Sequence, residues 1–353
     1  MSASVVVLPG DGIGPEVSAQ ARRVLEAVAE RLDLDLKIDE ALIGGAAIDA
    51  TGRPLPDETL TACREADAIF LGAVGGPQWA DIDVNLRPEQ GLLDLRRSLG
   101  LFANLRPVKT LPELAAASPL RAERLAGVDI IIVRELTGGI YFGKRGRTAT
   151  EAFDTCEYTV SEIERICRVA GRLAMERRKK VTSVDKANVL DTSRLWRETA
   201  TRVYRDEFPE LEVEHLYIDA ATMHLLSRPA EFDLMVMDNM FGDILTDEAS
   251  MLAGSLGVLP SASLNETGAG VFEPIHGSAP DIAGRGIANP CGAILSVAML
   301  LRHSLGRVDA ADQVESAVRR TLESGARTAD LAATGGAESL ATSEFGDAVL
   351  AHL

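Results

Sequence analysis

The sequence predicts an α/β architecture with a parallel sheet, and two observations carry this prediction. Short apolar runs alternate with amphipathic helical segments along the chain, which is the pattern of strands joined by crossover helices. The chain has 353 residues, of which 46% are hydrophobic and 25% are charged. It is therefore long enough for two domains with buried cores.

Composition narrows the classes of function. A net charge of −17 argues against a nucleic acid or an anionic membrane as partner. The N-terminus shows no signal peptide and no apolar run is long enough to span a bilayer, so a cytoplasmic protein is expected. The cysteines Cys63, Cys156, Cys167 and Cys291 form no CxxC pair, which argues against a zinc site or a disulfide framework.

The N-terminal segment predicts a strand, a glycine turn and a helix. The strand is expected at 4–8, of which residues 5–8 are apolar. Residues 10–16 hold the glycines, and helical periodicity covers 17–32 with Pro15 in the first turn. The glycines fall as GxGxG, whereas the dinucleotide-binding fingerprint is GxGxxG. The alternative to a phosphate-binding turn is a tight turn that lets the backbone pass close to another segment.

Periodicity, capping residues and glycine or proline breaks predict the remaining elements. Strands are expected at 34–38, 68–72, 102–108, 128–133, 158–160, 181–190 (running into a loop), 215–221 and 232–237. Helices are expected at 58–65, 88–100, 161–179, 193–208, 221–226, from 242 onward, and at 290–302, 310–324 and 343–353. Loops are expected at 44–45, 51–56 and 72–85. Ser161 and Glu164 are predicted as the capping box of the helix at 161–179.

An acidic pair follows the apolar run at 234–237. Asp243 and Asp247 are four residues apart, and Gly242 marks the predicted entry to a helix. Positions i and i+4 share a helix face, so both carboxylates point the same way and repel each other unless a cation joins them. Mg²⁺ and Mn²⁺ take such oxygen ligands. The alternative is an acidic first turn favoured by the helix dipole.

Three arginines suggest a binding site for an acidic substrate. Arg96 lies on a predicted helix, Arg106 on an extended segment, and Arg134 at the end of a buried strand. Ligands of open α/β sheets bind at the carboxyl ends of the strands, and guanidinium groups match carboxylates with paired hydrogen bonds. Together they suit a di- or tricarboxylate, although each one alone is more typical of a solvated surface charge.

Further polar groups fall at predicted strand ends. Lys186 could act as a base with a lowered pKa, or it could simply form an ion pair with Asp185. Asp219 ends the strand at 215–221, and Tyr141 either places its phenol at the site or packs with a satisfied hydroxyl. With the arginines and the acidic pair, these residues predict a metal-assisted site for a polycarboxylate.

At this point the chain resembles the metal-dependent β-decarboxylating dehydrogenases, the family of isocitrate and 3-isopropylmalate dehydrogenases. The resemblance covers nearly the whole chain. It rests on LPGDGIGPE at 8–16, RPEQGLLDLRRSLGLFANLRP at 87–107, VRELTGGIYFG at 133–143, DNMFGDILTDEAS at 238–250 and EPIHGSAPDIAGRGIANP at 273–290. It implies the α/β fold of that family, with two open domains around a cleft, and not a Rossmann fold.

The resemblance also implies roles for individual residues. Those expected to bind substrate are Glu89, Leu92, Leu93, Arg96, Arg106, Arg134 and Asp219. Those expected to hold Mg²⁺ or Mn²⁺ are Asp219, Asp243 and Asp247. Those expected to be catalytic are Tyr141, which protonates the carbon left by CO₂, together with Lys186 and Asp219 from the other subunit of a homodimer. The domains are expected at 1–101 with 254–353, and at 102–253, the latter forming the dimer.

The same resemblance implies a cofactor loop. Its residues are expected to be Glu273, His276, Gly277, Ser278, Ala279, Pro280, Asp281, Ile282 and Asn289. A carboxylate at Asp281 suits the ribose hydroxyls of NAD and repels the 2′-phosphate of NADP. The basic segment at 144–147 departs from the family, which often has acidic residues or proline there.

The substrate is expected to be 3-isopropylmalate, decarboxylated oxidatively in leucine biosynthesis, because Glu89, Leu92 and Leu93 replace the polar, serine-bearing segment of isocitrate enzymes. Isocitrate, homoisocitrate, tartrate or another 3-substituted malate are the near alternatives. A non-catalytic acidic protein that binds divalent metal is the distant alternative.

Overall fold

The computed structural model describes residues 3–332 and 339–353. They form two compact units, the first drawn from Met1–Leu101 and Ser255–Leu353, the second from Phe102–Gly254. The second unit is thus inserted into the chain of the first. In the described part of the chain, no helix is both long and apolar enough to cross a membrane.

The secondary structure alternates strands and helices in both units. The first unit begins with β1 (Ala3–Gly10), α1 (Gly14–Arg31), β2 (Leu36–Glu40), α2 (Gly44–Thr51), α3 (Asp57–Glu65), β3 (Ala68–Ala73) and α4 (Pro88–Ser98). The second unit consists of β4 (Ala103–Lys109), α5 (Ala122–Leu125), β5 (Asp129–Glu135), β6 (Arg145–Arg147), β7 (Ala152–Asp154), α6 (Val160–Met175), β8 (Lys180–Asp185), α7 (Asp191–Glu207), β9 (Glu212–Tyr217), α8 (Ile218–Ser227), β10 (Leu234–Met237) and α9 (Asn239–Ser250). The first unit resumes with β11 (Pro260–Leu264), β12 (Gly270–Pro274), α10 (Cys291–His303), α11 (Val308–Glu323), α12 (Ala329–Ala332) and α13 (Thr342–His352).

The sheet of the first unit follows the strand order β2-β1-β3-β12-β11. Its pairs are parallel except for β11 with β12. Helix α10 packs on β11, β12 and α1, and its apolar side chains are buried from Cys291 to Leu301. On the other face, Leu95 of α4 is buried in a core with Leu8 and Leu71, and Leu92 and Leu99 pack against it. The helix predicted at 88–100 therefore forms over Pro88–Ser98 and packs an apolar face against this core.

The sheet of the second unit follows the order β4-β5-β10-β8-β9. Strands β5, β10, β8 and β9 are parallel to one another, whereas β4 is antiparallel to β5. Strand β5 contains a run of β-branched residues, Ile130 to Val133, which fits a strand covered on both faces. Because the parallel strands end at the same edge, β5 and β10 deliver their last residues side by side, with Met237 opposite Arg134.

Several predicted elements are wrong. Residues 44–45 begin α2, because the Asp11 carboxylate accepts hydrogen bonds from the backbone N–H of Gly45 and Ala46 at 2.8 Å and so caps that helix. The predicted strand at 158–160 does not form. Tyr158 is buried, and the capping box of α6 consists of Thr159 and Glu162, two residues before the predicted pair.

Two boundaries near the predicted site also differ from expectation. Helix α9 begins at Asn239, three residues before Gly242, because the Asp238 side chain accepts a 2.8 Å hydrogen bond from the Phe241 N–H. Strand β9 ends at Tyr217, so Asp219 lies in the first turn of α8 and not on a strand. The placement of Asp243 and Asp247 on one helix is confirmed.

Candidate active site

Asp243 is the centre of a hydrogen-bonded cluster in the second unit. One carboxylate oxygen accepts from Arg134 Nη1 at 2.5 Å, and the other accepts from the Tyr141 hydroxyl at 2.9 Å. The Arg134 guanidinium also lies over the Tyr141 ring, 5.9 Å from its centroid. Gly242 permits this approach, since a Cβ there would lie 2.6 Å from Arg134 Cγ. The sequence-predicted residues Arg134, Tyr141 and Asp243 are therefore in direct contact.

The protonation of this cluster follows from its burial. Burial first, and then the hydrogen bond to Asp243, raises the pKa of Tyr141 above its usual value. Tyr141 therefore keeps its proton at neutral pH and donates it to the carboxylate. Burial also raises the pKa of Asp238, at the N-terminus of α9, to about 7.

Asp247 lies one helix turn after Asp243 on α9, and Arg106 lies beside it. Arg106 donates from Nη1 to Thr246 Oγ1 at 2.8 Å and from Nε to Asn104 Oδ1 at 2.9 Å. Its Nη1 lies 3.7 Å from an Asp247 carboxylate oxygen. The Asp247 side chain is 73% exposed, so its oxygens remain accessible to a ligand. The two aspartates of α9 thus each lie beside one of the predicted substrate arginines.

Lys186 and Asp219 form a pair of their own. Lys186 Nζ donates to Asp219 Oδ1 at 2.8 Å, and this hydrogen bond holds the pKa of Asp219 below its usual value. The suggested pairing of Lys186 with Asp185 is wrong. Asp185 is buried and accepts two hydrogen bonds from Arg197, at 2.8 and 2.9 Å.

The acidic residues of one chain provide only part of the ligand set for a divalent cation. Asp243 and Asp247 offer hard oxygen donors on one helix face, as Mg²⁺ and Mn²⁺ require. Within residues 3–332 and 339–353, however, no three His, Cys, Asp or Glu side chains of one chain gather into a metal-ligand group. The two α9 aspartates fit a metal that takes further ligands from outside this set.

The basic segment at 144–147 supports the Tyr141 turn. It forms strand β6, which pairs antiparallel with β7. Arg145 donates from Nη2 to the Tyr141 carbonyl at 2.6 Å. Tyr141 itself ends a 3-10 turn that begins at Gly139. Arg145 therefore anchors the backbone beside the Tyr141 phenol.

In the first unit, α4 carries the remaining predicted substrate residues. Arg96 donates from Nη2 to Glu273 at 2.6 Å, and both side chains are mostly buried. The Arg96 Nε is buried with no hydrogen-bond partner in the described chain. Glu89 lies against Gly75, where a Cβ would come within 2.8 Å of its carboxylate. Leu93 is 38% exposed on the same helix.

The predicted cofactor loop contains a buried polar atom that has no partner. His276 donates from Nδ1 to the Gly277 carbonyl at 2.9 Å, and burial lowers the pKa of the ring. The neutral ring then presents Nε2 as an acceptor, and this atom is buried without a partner in the described chain. Such an atom fits a bound molecule that brings a hydrogen-bond donor.

The rest of the loop is ordered by local contacts. Asn289 is buried, accepts from the Cys291 N–H at 2.9 Å and donates to Asp330 at 3.0 Å. Ala279 has a φ of 39°, which reverses the chain after the buried Ser278. The exposed positions of the predicted set are Gly277, Pro280 and Asp281, and Ile282 is half-buried.

The glycine turn at residues 10–16 holds this loop in place. Gly12 has a φ of 59°, and a Cβ there would lie 2.0 Å from the Ser278 carbonyl oxygen. Next to it, the Ile13 N–H donates to that same oxygen at 2.8 Å. Glu16 accepts from the backbone N–H of Ala288 at 2.9 Å and of Gly286 at 3.3 Å. The turn is thus the close approach of two backbones, the alternative that the sequence left open.

Sequence reasoning missed the residues that support the site. Asn239, Glu135 and Tyr158 form a buried network behind Arg134, and Asp11 and Glu16 order the loops of the first unit. The motifs GDGIGPE and DNMFGD contain three of them. A buried-strand end followed by an unexplained Asp or Asn was the available signal.

Arginines paired with carboxylates beside the ends of parallel strands are typical of a binding site for a small anionic ligand. The comparisons with known proteins make this specific. The family model described as isocitrate/isopropylmalate dehydrogenase matches residues 4–349. The chain belongs to the isocitrate/isopropylmalate dehydrogenase family, and the resemblance and the predicted fold class are confirmed.

Relatives agree along the full chain. The 3-isopropylmalate dehydrogenase of Rhodopirellula baltica is 56% identical over 357 residues, covering 100% of this chain and 99% of the relative. That of Anaeromyxobacter dehalogenans is 56% identical over 358 residues, covering 100% of both. Among solved structures, isocitrate dehydrogenase from Methylococcus capsulatus has a TM-score of 0.86 at 35% identity, covering 99% of both chains. A β-decarboxylating dehydrogenase from Thermococcus kodakarensis has a TM-score of 0.81 at 37% identity, covering 99% of this chain and 96% of the other.

Proposed function

We propose that this dehydrogenase catalyses the NAD-dependent oxidative decarboxylation of 3-isopropylmalate to 4-methyl-2-oxopentanoate and CO₂, a step of leucine biosynthesis. One observation carries the proposal. Asp243 accepts hydrogen bonds from both Arg134 and Tyr141. The guanidinium of Arg134 can bind an anion, the carboxylate of Asp243 can bind a metal, and the phenol of Tyr141 carries a proton. The oxidative decarboxylation of a hydroxy acid needs these three groups close together.

The side chains of the second unit supply the binding and the proton chemistry. Arg106 and Arg134 bind the substrate carboxylates by charge-assisted hydrogen bonds. Tyr141 retains its proton because its pKa is raised, and it gives that proton to the carbon from which CO₂ has left. Lys186 of a second copy of the chain, which Asp219 of that copy holds at 2.8 Å, acts in the acid–base steps at the substrate hydroxyl.

A divalent cation would be held by Asp243 and Asp247 together with Asp219 of a second copy of the chain. When bound, such a cation lowers the pKa of the hydroxyl and stabilises developing negative charge. One observation supports the shared site: no complete metal-ligand group forms within the described part of one chain.

We propose that the second copy packs on the face formed by α8 and α9. This face exposes the apolar side chains Met223, Leu226, Ile244 and Met251. Met223 is 63% and Ile244 57% exposed in the single chain, and helices α8 and α9 contact each other; exposed apolar side chains on neighbouring helices suit a protein interface. Both helices carry proposed metal ligands, so dimer formation and metal binding are expected to depend on each other.

The 276–289 loop would hold NAD. When bound, NAD supplies the acceptor for the hydride from the substrate. The buried His276 Nε2 offers this cofactor an acceptor, and the exposed Asp281 carboxylate suits ribose hydroxyls and repels a 2′-phosphate. The substrate assignment is supported by the names of the relatives and by Leu92 and Leu93, whose apolar side chains favour an alkyl substituent over a third carboxylate.

A spectrophotometric comparison tests this function. NADH and NADPH formation would be followed with 3-isopropylmalate, isocitrate, tartrate and malate, each with Mg²⁺, with Mn²⁺ and with a chelator. We expect 3-isopropylmalate with NAD and a metal to give the highest kcat/KM. Higher kcat/KM with isocitrate would overturn the substrate assignment, and undiminished turnover in chelator would overturn the metal requirement.

A further inference from the structure

The Nε–H groups of the arginines in the second unit have different acceptors. Three arginines away from the site donate Nε–H to a carboxylate: Arg168 to Glu207 at 2.9 Å, Arg177 to Asp233 at 2.8 Å and Arg197 to Asp185 at 2.8 Å. The two proposed substrate arginines differ. Arg106 donates its Nε–H to the Asn104 amide oxygen at 2.9 Å, and Arg134 donates its own to the Asn239 amide oxygen at 3.0 Å.

Asn239 is fixed from both ends of its amide. Asn239 is only 1% exposed, and its amide oxygen also accepts a hydrogen bond from Arg134 Nη2 at 2.7 Å. Its amide nitrogen donates to the carbonyls of Leu136 at 3.1 Å and Gly138 at 3.0 Å. Because the nitrogen faces two carbonyls, the oxygen must face the guanidinium, and the amide cannot flip without losing these contacts.

The backbone of Asn239 is held as firmly as its side chain. Its N–H donates to the Tyr158 hydroxyl at 2.9 Å, and that hydroxyl lies 3.3 Å from the fully buried Glu135 carboxylate. Arg165 donates to Glu135 at 3.1 Å. The carboxylate of this network, Glu135, therefore lies beside Arg165. It is linked to Arg134 through Tyr158 and Asn239.

A neutral acceptor and a charged acceptor have different consequences for a guanidinium. Either one orients the fork, since both offer an oxygen with two lone pairs. A carboxylate also cancels the positive charge, as in the pairs of Arg177 and Arg197, whereas an amide leaves it for another anion. The amides at 104 and 239 therefore fix the orientation of each guanidinium without adding a negative charge to that of Asp243 beside Arg134 or Asp247 beside Arg106.

We infer that Asn104 and Asn239 are positioning residues whose neutral amides aim Arg106 and Arg134 at the substrate carboxylates and add no negative charge that would compete with those carboxylates. The inference rests on the proposed function, since it assigns those arginines to the substrate. Asn239 additionally ties the backbone at 136–138 to Arg134, and the turn that ends in Tyr141 follows directly. Asn239 thereby fixes the position of the Arg134 guanidinium relative to the Tyr141 phenol.

The test exchanges amide for carboxylate. The variants Asn239→Asp and Asn104→Asp keep an acceptor oxygen and nearly the same volume but add a negative charge. Glu207→Gln is the matched control, because it makes the opposite exchange at an exposed arginine pair that is not part of the site. For each, kcat and KM would be measured with 3-isopropylmalate, NAD and Mg²⁺. The dissociation constant of 2-isopropylsuccinate, which lacks the reacting hydroxyl, would be measured by calorimetry in chelator.

We expect both Asn→Asp variants to raise the KM and the dissociation constant of the inhibitor by roughly tenfold to a hundredfold, the range for charge-assisted hydrogen bonds. We expect kcat at saturation to change much less than KM in Asn104→Asp, which leaves the Tyr141 turn untouched. Glu207→Gln should leave all three quantities within about twofold, because an exposed ion pair contributes little.

The outcomes separate the two proposals. Absence of turnover in the unaltered protein would refute the proposed function without bearing on the amides, whereas an unchanged inhibitor constant in folded Asn239→Asp and Asn104→Asp would refute the inference alone. If one variant does not fold, by near-ultraviolet circular dichroism, the other decides. If neither folds, the amides only satisfy buried groups and the inference is likewise overturned.

Discussion

Replacing Gly12 with alanine tests whether the glycine turn positions the cofactor loop. The new Cβ would lie 2.0 Å from the Ser278 carbonyl oxygen, whereas real contacts stay above 3.0 Å, so the two backbones must separate by about 1 Å. The left-handed φ costs an alanine roughly 1–2 kcal/mol. Loss of the Ile13–Ser278 hydrogen bond adds about 1 kcal/mol. We therefore expect Gly12→Ala to lower the free energy of unfolding by roughly 2–3 kcal/mol.

Gly52→Ala provides the matched control. Gly52 also has a positive φ, 79°, but a Cβ there meets nothing within 4 Å. In Gly52→Ala the free energy of unfolding should fall only by the cost of the left-handed φ, roughly 1–2 kcal/mol, and no other segment is displaced. Urea unfolding of both variants would give the difference between them, which isolates the backbone clash.

In enzymatic assays, Gly12→Ala is expected to affect the binding of NAD and not that of the substrate. A displacement of about 1 Å in a binding group can cost up to roughly a hundredfold in rate or affinity. We expect the KM for NAD to rise at least about tenfold in Gly12→Ala, and the KM for 3-isopropylmalate to change much less. Steady-state kinetics with each substrate varied in turn would measure this. A KM for NAD equal to that of Gly52→Ala would refute the proposed role of the 276–289 loop.

Three further predictions concern single side chains. Tyr141→Phe removes the phenolic proton and should lower kcat by roughly 10²- to 10⁴-fold with little change in the calorimetric affinity for 2-isopropylsuccinate; Tyr217→Phe is the control, and an unchanged kcat would exclude Tyr141 as the acid. The pKa of Asp238 is raised to about 7 in the folded state, so its stabilising contribution is complete below about pH 4 and is lost as pH rises through about 7. Asp238→Asn keeps the helix cap and should flatten the dependence of the unfolding free energy between those pH values; urea titrations that remain parallel to those of the unaltered protein would contradict this. Asp281→Lys should raise kcat/KM for NADPH formation relative to NADH formation, and an unchanged ratio would show that Asp281 does not select the cofactor.

The sequence predicts most of the parts of the second-unit site, because their signals are local. Spacing places Asp243 and Asp247 on one helix face, and a buried β-branched run places Arg134 at a strand end. The sequence does not predict that Asn239 holds Arg134, since that contact joins residues 105 positions apart. A buried asparagine at the start of a helix has no periodicity of its own, and only the register of β5 beside β10 brings the two residues together.

Local signals were also ambiguous where two candidates stood side by side. Thr159 with Glu162 and Ser161 with Glu164 both satisfy the capping-box spacing. The burial of Tyr158 selects the first pair, because it fixes where the chain enters α6. Similarly, glycine has a low helix propensity, and α2 begins at Gly44 only because Asp11, far away in the chain, caps it.

The strand order of the first unit has a consequence for biosynthesis on the ribosome. Strand β3 is complete at Ala73, but its parallel neighbour β12 begins at Gly270. The nascent first unit must therefore wait, with one edge of β3 open, while the whole of Phe102–Gly254 is translated. At about 5–20 residues per second this interval lasts on the order of ten seconds or more. The inserted unit can finish folding first, and during that time the open edge of β3 exposes backbone groups that can pair with another chain.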